Sequence, residues 1–523
     1  MDSSFMILEQ GLHEAALILF VLGVISACCT LVMCSKPPRK ALAALPMPPG
    51  CHWLYGHMRF LHGDFQKNQK SLFLDHCNER GQTGFWFGNR RGASVLSWED
   101  ARAVLHSEYN RVRLTLAKKH LTMFLGERTI GTLADREWRL HRSVITKAFS
   151  PGAVLKSRGA LETVTETFIQ SMKRKYMPDT TSEVVLDVEP LVKMITIDCF
   201  GKSALSQNFG CCKNLEPSKV AVAFDLLGAE LSRRMSNPLN ITNYFYSLPT
   251  KANRQHFHAR TYVRSVLADI IKAREADKSG LEIDLLSLIL QAHHEMKLEA
   301  NGSEKEEDDL DQIMSDTMMT LLFAGYDTTS ITLTYALYLI SQHEDAEVEC
   351  LEEILSNAED LIYCKSIALE TLRLYPAAPV IPRTLQRSVR ISGGVNLSKG
   401  TQVVVPVWSL HRDERNFPQA LTFRPDRWAK KVNGRWVDRE ETDLDTSSIP
   451  PGNRKALFAF SAGARSCPGQ RFAMQELVLV LSKLLKEFQF RTVDGYQLEP
   501  VKAGIVQHPK GGLPMRIRRR DFS

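Results

Sequence analysis

The chain has 523 residues, of which 44% are hydrophobic and 24% charged, a composition typical of a globular protein with a large core. Its net charge of +7 is too diffuse to indicate nucleic-acid binding, and no Lys/Arg cluster alternates with aromatic residues as a base-stacking surface would require. The 11 cysteines include no CxxC pair, which argues against a disulfide framework and against a zinc site.

An uncharged run of 20 residues, Ala15–Cys34, lies near the start of the chain. As a helix it would extend about 30 Å, which matches the hydrocarbon thickness of a bilayer. A cleavable signal peptide would need a basic start, whereas Glu9 and Glu14 make this leader acidic. Basic residues follow the run at Lys36 and Arg39. The positive-inside rule therefore predicts a single-pass anchor with the rest of the chain in the cytosol.

This pattern predicts three segments. Residues 1–35 form the leader and the membrane anchor helix, and residues 36–50 form a basic hinge that is stiffened by the prolines of Pro46–Gly50. Residues 51–523 contain neither a second long linker nor an internal repeat. We therefore expect them to form one catalytic domain.

The predicted domain is mainly α with a small β part, an α+β organisation. Residues 85–96 have the alternation and central turn residues of two short strands. After Arg373, proline, β-branched residues and turn signals dominate until Phe472, where an apolar helix is predicted to run to Phe488.

Between about Asp100 and Leu355 the pattern is mainly helical. Breaks are predicted at Ser150–Pro151 and at Asn237–Pro238, because the residue before a proline disfavours helix. The charged stretch 301–309 is predicted to be a solvated loop.

Polar residues interrupt a long apolar helix that is predicted from about Ile313 to Ser341. Asp327, Thr328 and Thr329 follow the small residues of Ala324-Gly325 there. The simplest interpretation is an ordinary core helix with a patch of small residues. However, an acid and two hydroxyls inside such a helix are costly unless they have partners, which favours a functional role.

One cysteine lies in a segment unlike the others, Phe460–Gly469, directly before the predicted helix that contains Phe472. A metal-bound thiolate is stabilised near a helix N-terminus and by backbone N–H groups. Glycines at 463 and 469 let the backbone come close to a flat cofactor, and Phe460 can shield the sulfur of Cys467 from water. A buried structural cysteine after a tight turn would be the alternative for an isolated cysteine.

The segment matches F-x-x-G-x-R-x-C-x-G, the cysteine-loop signature of the cytochrome P450 family, through Phe460, Gly463, Arg465, Cys467 and Gly469. Five fixed positions make a chance match rare, and the chain resembles the family over essentially its whole length. The resemblance implies the family's fold and haem b (iron protoporphyrin IX) as the cofactor. It also implies that Cys467 is the axial thiolate ligand to the iron.

Other motifs support the same resemblance. Ala324–Thr329 resembles the family's oxygen-activation motif, in which Gly325 leaves room for dioxygen, Thr328 orients a water or an oxygen ligand, and Asp327 helps to relay protons. Trp138 and Arg142 resemble its W-x-x-x-R helix, where they would share one face and bind the haem propionates. Further propionate-binding positions are implied at Arg383 and Arg465.

Glu370 and Arg373 resemble the family's E-x-x-R helix, and Phe423–Trp428 resembles the segment that supplies a second arginine, Arg427. The resemblance implies a buried network of Glu370, Arg373 and Arg427 with a structural role. One departure from the family pattern is visible. The segment between Leu355 and Glu370 is short, so a peripheral helix is expected to be missing.

The family's chemistry implies a monooxygenase that inserts one oxygen atom from O2 into a lipophilic substrate such as a sterol, a fatty acid or a xenobiotic. The chain has neither a GxGxxG motif nor a P-loop, so its electrons should come from a separate NADPH-dependent flavoprotein reductase, with cytochrome b5 as a further candidate donor. The predicted location is the endoplasmic reticulum membrane, with the catalytic domain facing the cytosol.

Two other functions are compatible with a haem site. A haem-thiolate isomerase or dehydratase of lipid hydroperoxides would need no electrons, but such family members usually lack the acid–threonine pair that Asp327 and Thr328 provide here. A haem-binding sensor or carrier without turnover is the third hypothesis, and the same residues argue against it. Substrate-stimulated NADPH consumption would distinguish the monooxygenase from both.

Overall fold

The computed structural model describes residues 40–51, 56–57, 64–87, 90–107, 121–133, 135–179, 182–236, 248–276, 284–299, 304–439 and 453–521, together with Gly23. The helices with defined bounds are α1 (Lys40–Ala43), α2 (Phe65–Gln69), α3 (Trp98–His106), α4 (Asp135–Ala148), α5 (Pro151–Tyr176), α6 (Val188–Leu205), α7 (Cys211–Asn214), α8 (Lys219–Ser236), α9 (Lys251–Ala276), α10 (Leu285–Glu299), α11 (Glu304–Gln342), α12 (Glu344–Leu355), α13 (Ile362–Leu374), α14 (Val407–Leu410), α15 (Asn453–Ala456) and α16 (Gln470–Glu487). A π-helical turn at Lys70–Leu74 and 3-10 turns at Ser392–Gly394, Pro425–Arg427 and Gly463–Arg465 complete the helical elements.

The strands are β1 (Gln82–Phe87), β2 (Arg90–Val95), β3 (Glu183–Asp187), β4 (Ile381–Thr384), β5 (Val389–Arg390), β6 (Asn396–Leu397), β7 (Gln402–Val405), β8 (Ala429–Val432), β9 (Arg435–Asp438), β10 (Phe488–Thr492), β11 (Pro500–Ala503), β12 (Val506–Pro509) and β13 (Pro514–Arg519). A four-stranded sheet has the order β1-β2-β7-β4, and a three-stranded sheet has the order β10-β13-β3. The pairs β5-β6, β8-β9 and β11-β12 are two-stranded. Thus the mainly helical α+β fold that the sequence predicts is confirmed.

The largest hydrophobic core surrounds α11, which packs most extensively against α6 and also contacts α13 and α16. From Met318 to Ile340 nearly every side chain of α11 is buried, which is why this helix is apolar on all sides. A second core lies between the four-stranded sheet and α3. These two cores place the middle of α11 and the segment before α16 inside the domain.

Several boundaries follow the sequence closely. The predicted break at Ser150–Pro151 is confirmed, since Ser150 is extended and Pro151 occupies the first turn of α5, where its missing N–H costs nothing. Strands β1 and β2 pair antiparallel as predicted for residues 85–96, and α16 confirms the predicted C-terminal helix. The second predicted break, Asn237–Pro238, lies outside the described residues.

The prediction of a loop over 301–309 is wrong from Glu304 onward, because α11 begins there and continues for 39 residues. Charge alone misled the prediction: Glu and Lys are good helix formers, and a stretch rich in them can extend a helix into solvent. The connection between α12 and α13 is short, as expected. Residues 356–361 are all described and contain no helix.

The structure describes part of the predicted hinge and almost none of the predicted anchor. Leu42 and Leu45 are buried against the four-stranded sheet, and the Pro46 carbonyl accepts a hydrogen bond from the Gly84 N–H at 2.8 Å. Residues 40–50 therefore pack on the catalytic domain. The predicted anchor Ala15–Cys34 lies, apart from Gly23, outside the described residues. Among the residues that are described, no helix is long and apolar enough to cross a bilayer.

Candidate functional site

The cysteine loop, residues 457–469, connects α15 to α16 and folds back on itself. The Cys467 N–H donates to the Phe460 carbonyl at 2.9 Å, and the Ser466 N–H donates to the Gly463 carbonyl at 3.0 Å. Gly463 has a φ of 72°, and a Cβ there would lie 2.5 Å from the Leu105 carbonyl oxygen at the end of α3. Only glycine fits this position, because both the backbone conformation and the close contact exclude a side chain.

Cys467 is exposed, three residues before the N-terminus of α16. Desolvation of its sulfur raises the pKa of the thiol, while the Gly469 N–H and the positive charge of Arg142 lower it. A bound metal cation is the partner that would make the anion stable.

The middle of α11 presents small side chains. Ala324 is exposed and Thr328 is half-buried, although the residues around them are buried, and the Thr328 hydroxyl donates to the Ala324 carbonyl at 2.7 Å. A Cβ at Gly325 would lie 2.2 Å from the Phe200 ring of α6. Close helix packing therefore explains the glycine at 325, a reason that the sequence interpretation missed.

Four candidate haem-binding residues from three regions of the chain meet at the cysteine loop. Arg142 Nη1 donates to the Ser466 carbonyl at 2.6 Å, and Arg383 Nη2 donates to Ser461 Oγ at 3.4 Å. The Arg465 guanidinium lies 3.7 Å from the centre of the Trp138 ring. It also donates to the carbonyls of Ile130 at 3.3 Å and Leu133 at 3.1 Å. The structure thus brings Trp138 and all three arginines together.

The Glu370 cluster comprises Glu370, Arg373, Arg427 and Trp428 and is buried. Arg373 donates to both carboxylate oxygens of Glu370, at 2.9 and 2.7 Å, and the Trp428 Nε1–H donates to Oε2 at 2.9 Å. Arg427 Nε lies 3.5 Å from Oε1. Arg373 also donates to the backbone carbonyls of His411, Ala420 and Thr422. Both carboxylate oxygens are therefore satisfied.

His411 links this cluster to the cysteine loop. Its Nδ1 lies 3.0 Å from the Arg373 carbonyl and must donate to it, while its Nε2 accepts from the Phe458 N–H at 2.9 Å. Burial, together with the charge of Arg373, lowers the pKa of His411 to about 3. The ring is therefore neutral, which is the form that this pair of hydrogen bonds requires.

Asp327 has partners that the sequence did not reveal. Its Oδ2 lies 3.6 Å from Nε2 of His508 in β12, and His508 Nδ1 lies 2.8 Å from Oε1 of Glu189 in α6. Burial alone would raise the pKa of Asp327, but His508 and Lys193 hold it below its ordinary value. No local motif marks His508, since it is distant from Asp327 in the sequence.

The chain was compared with known proteins. A family model described as Cytochrome P450 matches residues 46–514. The chain belongs to the cytochrome P450 family. It is 26% identical to the dog protein cytochrome P450 3A12 over 448 residues. This alignment covers 79% of this chain and 82% of the dog protein. It is 25% identical over 542 residues to human cytochrome P450 4A11, with coverage of 98% and 95%. A rice relative, cytochrome P450 734A6, is 24% identical over 506 residues, with coverage of 92% and 86%.

Family membership establishes a haem-thiolate monooxygenase that uses haem iron with a cysteine thiolate ligand and works with a redox partner on a lipophilic substrate. The residues described above fit this cofactor. An exposed thiol lies just before α16, and α11 presents the exposed Ala324 within a buried stretch. Arg142, Arg383 and Arg465 lie at the same loop and could bind two propionate carboxylates.

Proposed function

We propose that this protein is a membrane-anchored monooxygenase whose axial haem ligand is Cys467 and whose substrate is a sterol, a fatty acid or a xenobiotic. When bound, the haem supplies the activation of O2 with electrons from a partner. The observation that carries the proposal is the position of Cys467, exposed at the head of α16 in a loop whose glycine at 463 tolerates no side chain.

The residues around the loop have separate roles in this proposal. Phe460, whose carbonyl accepts the Cys467 N–H, would shield the sulfur from water once the cofactor is bound, and Gly463 and Gly469 would let the backbone come close to the cofactor. A Cβ at Gly469 would lie 4.0 Å from the Cys467 sulfur, an ordinary contact, so packing within the protein does not itself require glycine there. Ala324 is exposed and its side chain is small, so it would leave space for a small ligand beside the cofactor.

Trp138, Arg142, Arg383 and Arg465 hold the two propionates. A guanidinium binds a carboxylate with two parallel hydrogen bonds, so three arginines are sufficient for two anions. The Arg465–Trp138 stack holds Arg465 in place, because a cation over an indole ring is stabilised by the ring quadrupole. The Glu370 cluster is structural: through His411 it fixes the start of the cysteine loop.

Thr328 and Asp327 handle the protons that oxygen reduction consumes. The Thr328 side chain is half-buried, and its hydroxyl, which donates to the Ala324 carbonyl, could instead donate to a ligand bound beside it. Asp327 is ionised and can carry a proton from solvent towards this hydroxyl. This pair favours the monooxygenase over a hydroperoxide isomerase or dehydratase, which would need no external protons.

The electrons come from an NADPH-dependent flavoprotein reductase in this proposal, with cytochrome b5 as a further donor. The net charge of +7 suits docking to acidic partners. Residues 1–35 form the anchor, and the catalytic domain faces the cytosol from the endoplasmic reticulum membrane. The charge asymmetry around Ala15–Cys34 supports this orientation.

The decisive test is the difference spectrum of the reduced, carbon-monoxide-bound protein, compared between wild type and Cys467→Ala. We expect a strongly red-shifted Soret band in wild type and none in the variant. Cys51→Ala is the matched control, because Cys51 is also exposed and lies in a distant part of the sequence. A wild-type protein that folds and binds haem without this band would overturn the assignment of Cys467.

A second measurement separates the monooxygenase from the alternatives. Purified flavoprotein reductase and NADPH are added, and NADPH oxidation is followed with a fatty acid, a sterol or a xenobiotic present. Stimulation by one class, with oxygenated product, supports the proposal and identifies the substrate class. Conversion of a lipid hydroperoxide without NADPH would instead support the isomerase or dehydratase.

A further inference from the structure

His508 lies between two carboxylates from different elements. Its Nε2 faces Asp327 of α11 at 3.6 Å, and its Nδ1 faces Glu189 of α6 at 2.8 Å. The strand opposite in the β-ladder, β11, places the apolar residue Val501 across from it. The imidazole is mostly buried, at 13% exposure, so its charge is determined by these two acids.

The row continues to the surface. Glu189 Oε1 lies 3.4 Å from Lys193 Nζ, which lies 3.1 Å from Asp225 Oδ1 of α8. Asp225 is 47% exposed, and it also accepts a hydrogen bond from the Tyr326 hydroxyl at 3.0 Å. We call Asp327, His508, Glu189, Lys193 and Asp225 the solvent-linked row. It runs from the middle of α11 to water.

Neighbouring charges in the solvent-linked row stabilise each other's ionised forms. Burial would lower the pKa of His508, but Asp327 and Glu189 raise it to about 9, so the ring is an imidazolium at neutral pH. Burial would likewise raise the pKa of Glu189, but His508 and Lys193 lower it. Three carboxylates thus alternate with two cations. An aspartate buried without such a cation would bind a proton and keep it.

We propose that His508 is a positioning residue for oxygen activation: its imidazolium holds the Asp327 carboxylate ionised at the buried end of the row, ready to exchange protons with solvent. The inference rests on the proposed role of Asp327 and adds a residue from β12 to it. The 3.6 Å separation is longer than a hydrogen bond, so His508 and Asp327 interact mainly through their opposite charges.

The test compares His508→Gln, which removes the charge, with His508→Lys, which retains a cation. Reductase-supported NADPH oxidation is measured against pH, with and without dodecanoic acid as the probe. Wild type should lose activity as pH rises through about 9, where His508 loses its proton. His508→Gln should be slower by about tenfold, and its rate should not fall further as pH rises through about 9. His508→Lys should recover much of the wild-type rate. The neighbouring Lys510→Gln is the control, since its ion pair with Glu499 is exposed.

A readout independent of activity is the titration of His508 itself, followed by NMR of the full chain labelled at histidine Cε1. The chain has 15 histidines, so the signal is assigned by its loss in His508→Gln. It should titrate near pH 9 in wild type and nearer the ordinary value in Asp327→Asn. A wild-type value near the ordinary 6.5 would overturn the inference.

The outcomes also separate this inference from the proposed function. If the red-shifted carbon monoxide band is normal but His508→Gln matches wild type in rate and in pH profile, the positioning role is wrong while the haem assignment stands. If the band is absent but the titration is as expected, the ion pair exists and the proposed function fails. Equal losses in His508→Gln and His508→Lys would show that only packing was disturbed.

Discussion

Two acidic residues of the core, Glu370 and Asp327, are surrounded by cations in different ways. Glu370 is completely buried, and donors within 3.5 Å satisfy both of its oxygens. Asp327 has a more distant cation, and its row of charges reaches an exposed end at Asp225. The closed network fixes the geometry around Glu370, whereas in our proposal the open row lets Asp327 exchange protons with water.

Glu370→Gln should have the largest effect on folding, because it leaves the guanidinium of Arg373 buried without its anion. Breaking such a buried pair costs about 3–5 kcal/mol. Urea unfolding and haem content measure the loss. Asp426→Asn is the control, since the Asp426–Arg424 ion pair is more than a third exposed and should contribute little. If Glu370→Gln were as stable as wild type, the Glu370 cluster would not have the structural role assigned to it.

The solvent-linked row should make the stability of the protein depend on pH through His508. The pKa of His508 is raised from 6.5 to about 9, so its stabilising contribution is fully present below pH 6.5 and is lost as pH rises through about 9. At about 1.4 kcal/mol per pKa unit, the difference in unfolding free energy between wild type and His508→Gln should reach at most about 3–4 kcal/mol. Unfolding curves recorded at about pH 6 and about pH 10 measure it. If the stability difference between wild type and His508→Gln were larger at about pH 10 than at about pH 6, the predicted pH dependence would be wrong.

Asp327→Asn should reduce turnover and leave folding nearly unchanged, the opposite of what we expect for Glu370→Gln. We expect turnover to fall by about a hundredfold, because a carboxylate that moves protons typically contributes that much, while the reduced carbon monoxide spectrum stays unchanged. Product formation per NADPH is the informative measurement. Thr334→Val, two turns further along α11 and buried, serves as the control. If the variant bound haem poorly but its bound fraction turned over normally, Asp327 would stabilise the fold, as Glu370 does, and would not move protons.

Asp225→Asn should have the smallest effect. The side chain is 47% exposed, and Lys193 keeps Glu189 as a partner, so the stability should change by less than about 1 kcal/mol. A rate change of less than about threefold is expected in the same NADPH assay. A loss as large as that of Asp327→Asn would mean that the surface end of the row, rather than His508, controls proton supply.

The sequence predicted one of these clusters far better than the other. Glu370 and Arg373 are three residues apart on one helix, and Arg427 lies in a recognisable segment, so a linear motif contains most of the contacts. The partners of Asp327 come from β12 and from α6, and only the folded chain brings them together. For the same reason the packing of Gly325 on Phe200 was not predicted, because it depends on the close approach of two helices.

Element types were predictable where hydrophobic periodicity was strong, as in α16 and in the β1–β2 pair. The start of α11 was not, because charged residues are compatible with both a loop and a helix that extends into solvent. The buried positions of Leu42 and Leu45 were also missed, since a proline-rich segment gives no indication of what it packs against.

Strand β13 has a consequence for how the protein is made. It lies between β10 and β3 and so joins the C-terminal residues 514–519 to residues 183–187. During synthesis at roughly 5–20 residues per second, β3 and the acid Glu189 emerge long before β12 and β13 do. The sheet lacks its central strand until β13 emerges from the ribosome, and Asp327 lacks His508 until β12 emerges. Both acids that face His508, Asp327 and Glu189, are therefore synthesised before the cation that they share.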